Sequence, residues 1–166
     1  MSNFVYDGFP KLYKNAIKAE QEIVKASISS KPSNWYYGKY TEGNQKYDCL
    51  TEGHVMVAFT FNTFILNKEI FETSNRTMNI AQVMNKNNEL SYKTAHLVGT
   101  KIVDKGTTYC VLKNDSTGGE ILFNEKYQKY FTDDVEYRVH DSRTPIKIYH
   151  GEIFMGIIMP IVYMGE

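Results

Sequence analysis

The run Pro145-Ile146-Lys147-Ile148-Tyr149-His150-Gly151-Glu152-Ile153-Phe154-Met155-Gly156-Ile157-Ile158-Met159 sets the architecture of this chain. His150-Gly151 has the form of a tight turn between two strands, because glycine supplies the left-handed backbone such a turn needs. The limb after it is apolar at consecutive positions, so it must bury both of its faces, which places it in the interior of a sheet. Working back along the chain, strands are expected at 135–140, 120–123, 107–113 and 92–103. The turns Asp104-Lys105-Gly106 and Asp115-Ser116-Thr117-Gly118-Gly119 separate the last three. Asn124 can cap a short helix on which Tyr127, Tyr130 and Phe131 meet at helical spacing.

The first half mixes both periods. Trp35-Tyr36-Tyr37-Gly38-Lys39-Tyr40 is an aromatic strand, Glu42-Gly43-Asn44 a turn, and residues 46–50 and 54–61 a pair around Thr51-Glu52-Gly53. Short helices are expected at 67–72 and 78–86. A longer one is expected over 11–26, where Leu12, Ala16, Ile17 and Ile23 fall on one arc and the lysines on the other, with Glu20 set among the apolar residues. Pro32 lies in the loop that follows. The expected fold is α+β, with antiparallel sheets carrying a few helices on one face. A single domain over 1–166 is expected, with an N-terminal helix and loop in 1–34 and a strand-rich body in 35–166.

Composition narrows the function. The 166 residues are 42% hydrophobic and 14% aromatic, enough for a core and too much for a disordered chain. Nineteen basic and nineteen acidic residues cancel, which excludes a DNA mimic and a histone-like binder. Two cysteines make no disulfide scaffold, and no apolar run reaches the roughly 18 residues of a membrane span, so a cytoplasmic protein without membrane contact is expected. Sixteen of the basic residues are lysine, and asparagine and tyrosine stand at thirteen each. Those residues have AT-rich codons, which suits a low-GC bacterium or its phage. The shortage of arginine argues against base-specific DNA reading.

The chemistry-bearing residues form no catalytic pattern. The histidines His54, His96, His140 and His150 have no partner at metal-ligand spacing, so neither metal nor cofactor is expected. Cys110 lies inside a strand, where thiols are inert core residues, and Cys49 stands five residues before His54 in a separate strand. No enzyme is expected. Two surface features remain. Lys11, Lys14, Lys18 and Lys25 share the polar arc of the first helix and could track phosphates without reading bases, although Glu22 lies on the same arc. Trp35, Tyr36, Tyr37 and Tyr40 could form a partner interface, or could pack into the protein itself.

Several stretches together resemble the bacterial DNA sliding clamp, the polymerase processivity factor, and small clamp-like proteins of low-GC phages. They are Leu50-Thr51-Glu52-Gly53-His54-Val55-Met56-Val57, the strand and short helix from Gly119 to Phe131, and the closing hairpin from Pro145 through Met159-Pro160-Ile161. The resemblance implies a clamp-like domain and a non-enzymatic role in a phage or mobile element, exerted through a replication partner with weak nonspecific DNA contact. An alternative is an inhibitor of a host defence complex that acts by occlusion. Exposed sheet edges invite pairing, so a homo-oligomer is expected under either.

Overall fold

The computed structural model describes residues 18–25, 35–42, 45–59, 72–73, 90–131 and 134–161. Its strands are β1 Tyr36–Glu42, β2 Gln45–Thr51, β3 Val55–Phe59, β4 Glu72–Thr73, β5 Lys93–Asp104, β6 Thr107–Asn114, β7 Glu120–Asn124, β8 Glu136–Val139, β9 Ile146–His150 and β10 Ile153–Ile158. They make one sheet in the order β4-β1-β2-β3-β10-β9-β8-β5-β6-β7. Every pairing is antiparallel except the short contact of β4 with β1.

This overturns the expected α+β fold with helices on one face, and with it the clamp-like layering. Among the described residues, helix is confined to 18–25 and to a 3-10 helix over Glu125–Tyr130. The physical reason lies in the connections. Short turns join most successive strands, and a short turn returns the chain to an antiparallel neighbour without room for a crossover helix. Of the helix expected at 67–72, Glu72 belongs to β4, and the rest lies outside the described residues, as does all of 78–86. Residues 18–25 are helical as expected, while the remainder of 11–26 is not described.

The strand order curls back on itself. Ile161, just beyond β10, donates its N–H to the Leu122 carbonyl of β7 at 2.8 Å, joining the middle of the sheet to its far end. The enclosed face carries the larger apolar cluster, including Leu50, Val57, Leu112, Phe123, Ile148 and Ile158. The opposite face carries a second cluster of Tyr40, Tyr47, Cys49, Met56, Tyr149, Phe154 and Ile157. Strands β3 and β10 contribute to both, which is why neither shows an apolar–polar alternation. The expectation for the closing strand is met, since β10 runs between β3 and β9 and is buried at every residue after Ile153. A bulge interrupts β10 between Phe154 and Gly156. Gly156 has φ +145°, and a Cβ there would overlap the Met56 carbonyl oxygen of β3 and press on the Phe131 ring, so this position requires glycine.

The turn between β2 and β3 is built by its own side chains. The Glu52 carboxylate accepts the N–H groups of His54 at 2.6 Å and Val55 at 3.0 Å, and the Thr51 hydroxyl donates to the Val55 carbonyl at 2.8 Å. Gly53 takes φ +102°, which a residue with a side chain rarely adopts. The 3-10 helix packs over this turn, with Tyr127 stacked on His54 at 6.4 Å and Tyr130 edge-on to Trp35 at 5.4 Å. Asn124 caps the helix as expected, its side-chain oxygen accepting the Lys126 N–H at 3.0 Å. Ala19 and Ile23 of the helix at 18–25 reach the same enclosed core.

Candidate functional site

The β5–β6 hairpin differs from the rest of the sheet. Its tip has Lys105 at φ 51° and Gly106 at φ 82°, the two left-handed residues of a tight hairpin turn, with Asp104 opposite Thr107. Strand β8 pairs with β5 only at Lys93, Thr94 and Ala95. Beyond Ala95, β6 is the one described strand that pairs with β5, so residues 96–104 form an edge. Two extra residues bulge β5 between Leu97, opposite Leu112, and Lys101, opposite Cys110.

The edge is exposed and partly apolar. Leu97 is 41% exposed and Val103 69%, and these are the exposed large hydrophobic residues among those described. Polar contacts hold the hairpin at both ends. The Lys101 ammonium pairs with the Glu125 carboxylate at the start of the 3-10 helix. At the other end His96 Nδ1 lies 2.5 Å from Asp115 Oδ1, and the Thr94 hydroxyl donates to Asp115 Oδ2 at 3.0 Å. Those two bonds, His96 first, hold the Asp115 carboxyl below its ordinary value. The backbone reinforces them, since Asp115 N–H meets the Thr94 carbonyl at 3.0 Å.

A second polar group occupies the convex side of β8 and β9. Lys147, only 6% exposed, sits over the Tyr92 ring at 4.3 Å, and the Arg138 guanidinium lies 3.8 Å from the centre of the Tyr149 ring. Burial pushes the Lys147 ammonium below its ordinary value, because desolvation disfavours the charged form. The Glu42 carboxylate accepts the Tyr149 hydroxyl at 3.0 Å, and Arg138 pairs with Glu136 at 2.5 Å. These contacts are internal, and they lock the sheet.

The thiols have no activated partner. Cys49 is wholly buried in the convex cluster, and burial raises its thiol far above the ordinary value; burial also raises Cys110. His54 stands in the exposed turn after β2, stacked on Tyr127, away from the cluster that holds Cys49. Among the described residues no group of three His, Cys, Asp or Glu is arranged to hold a metal ion, and no helix is long and apolar enough to cross a membrane.

The residues singled out from sequence are dispersed. Lys11 and Lys14 lie outside the described residues. Lys18 and Lys25 are exposed, and Lys25 pairs with Glu22 at 3.7 Å. Trp35 and Tyr37 are buried in the enclosed core, where the Tyr37 hydroxyl donates to Asp48. Tyr40 is buried on the other face, stacked on Tyr47 at 6.2 Å and edge-on to Phe154 at 5.6 Å. Tyr36 alone of the four is half-exposed. Sequence reasoning passed over the β5 edge. Its signal was the polar run Gly99-Thr100-Lys101 inside a strand that should otherwise alternate. No family model, curated protein or solved structure matches the chain.

Proposed function

We propose that this is a non-enzymatic binding protein that docks protein partners through the β5–β6 hairpin. The observation that carries the reading is the edge at residues 96–104, which leaves Leu97 and Val103 in water beside backbone groups that β8 does not reach. Such edges are ordinarily blunted or covered, because unpaired N–H and C=O groups recruit further strands. The buried, unactivated thiols support a binding role over nucleophilic chemistry.

The test is affinity capture from a low-GC bacterial lysate with wild type and Val103→Lys as baits. Wild type should retain a protein that the variant loses, and that protein's identity separates a replication partner from a defence nuclease. Equal retention by both baits would remove the hairpin from the function.

A further inference from the structure

Resting on the reading of the hairpin as a docking surface, we propose that its occupant is a second copy of this chain. Residues 96–104 of β5 pair antiparallel with the same residues of the second copy, about a two-fold axis at Thr100.

The strand is complementary to itself in that register. Antiparallel pairing about Thr100 puts Leu97 opposite Val103 of the second copy, and Val103 opposite its Leu97. The exposed large hydrophobic residues among those described are therefore both covered in one step. They also share a face. Leu97, Lys101 and Val103 stand opposite Leu112, Cys110 and Thr108 in the ladder, and directly opposed residues project to the same side of a sheet. On the other side Val98 meets Ile102, and His96 meets Asp104. Gly99 falls opposite Lys101, and a Cβ at Gly99 would meet nothing within 4 Å, so the lysine stem has room there.

The bulge shapes the pairing and does not forbid it. It falls between Leu97 and Lys101, at the axis, and the two arms of β5 on either side keep a regular ladder with β6. The dimer is then two short ladders, pairing most closely at Leu97 and Val103 and more loosely across the bulged stretch around Thr100. A nine-residue strand pairing is a small interface, so association is weak and depends on concentration. A closed two-fold pairing also consumes the edge on both copies, which prevents runaway strand addition.

Register decides the test. Leu97→Cys and Val103→Cys are prepared separately, oxidised mildly alone and as an equal mixture, and read on non-reducing gels. The native Cys49 and Cys110 are buried and do not compete. Each variant alone should remain uncross-linked, and the mixture should give a disulfide-linked dimer. Sedimentation velocity of wild type should shift toward the dimer as concentration rises, with Val103→Lys remaining a monomer throughout. A mixture that cross-links no better than either variant alone overturns the proposal, as does wild type that stays monomeric at every concentration. If that happens while Val103→Lys still loses a captured protein, the hairpin is a docking surface for another chain. If neither effect is seen, both readings fall.

Discussion

The hairpins β9–β10 and β5–β6 share a design and differ in what surrounds them. Each joins two antiparallel strands by a tight turn with a left-handed glycine, Gly151 at φ 61° and Gly106 at φ 82°. Strand β10 has β3 on one side and β9 on the other, and apolar clusters cover both its faces. Strand β5 has β6 along its length but β8 for only three residues. In the first hairpin side chains are committed to stability, whereas in the second many are not. The contrast says where this protein can change cheaply, and so where recognition can be built.

The largest effect should come from breaking β10. Ile158 is fully buried in the enclosed core, opposite Ile146 and Val55, with no cation across the ladder. Ile158→Asp should cost about 4 kcal/mol or more, as a buried charge without a partner does. Its neighbour Ile157 faces the other way and stands opposite Lys147. Ile157→Asp should cost measurably less, because the buried ammonium then gains a counter-charge. Urea denaturation of both variants checks the order, and equal losses would mean that Lys147 does not face Ile157.

The next effect is alkaline loss of stability, and it belongs to the aromatic faces that flank β10. Burial raises the hydroxyls of Tyr37, Tyr47, Tyr92, Tyr127, Tyr130 and Tyr149 above the ordinary 10.0, with Tyr127 and Tyr130 pushed up to about 12. A group whose pKa is higher when folded contributes stability that is complete below its unfolded value and is lost as pH rises toward the folded one. The buried thiols of Cys49 and Cys110 act in the same sense from their ordinary 9.0, and the buried Lys147, which works in the opposite sense, is one group against eight. Stability should therefore fall from about pH 9 upward, and tyrosinate absorbance should develop late and together with unfolding. Tyrosine ionisation near pH 10 with the fold intact would contradict the burial of these rings.

Much of this fold was legible because strands and turns are local. Glycine-bearing turns at Gly53, Gly106 and Gly151 and the doubly apolar closing strand could be read directly, and Asn124 announced its cap. The fold class was not legible, because it depends on which strands become neighbours. Nothing local says that the chain after β10 reaches Leu122 of β7. The candidate site failed for a related reason. Trp35, Tyr37 and Tyr40 are adjacent in sequence, but the period of two in a strand sends the first two into one core and the third into the other. The His96–Asp115 pair needs the register Ala95 opposite Asn114, which only the assembled ladder defines.

A smaller effect tests the 3-10 helix whose Glu125 pairs with Lys101 of the exposed hairpin. Asn124→Ala removes the oxygen that accepts the Lys126 N–H and should cost about 1 kcal/mol, the usual worth of such a cap. Thermal unfolding would show it as a modest drop in the midpoint, and no change would mean that water replaces the cap at no cost.

The smallest effect is expected at Leu97 of the β5–β6 hairpin, where two leucines face each other across the ladder. Leu97 and Leu112 are directly paired, yet Leu97 is 41% exposed and Leu112 fully buried. Leu112→Ala should cost about 2–5 kcal/mol, from lost burial plus the cavity left in the enclosed core. Leu97→Ala opens no cavity and should stay within about 0.5 kcal/mol of wild type when measured on dilute protein. Concentration then sharpens the comparison. If Leu97 is covered by a second copy, the difference between wild type and Leu97→Ala should grow as protein concentration rises, because association stabilises only the species that can form it. A difference that stays constant across concentrations would leave Leu97 a simple surface residue, and a large loss in dilute protein would mean that β5 belongs to the core after all.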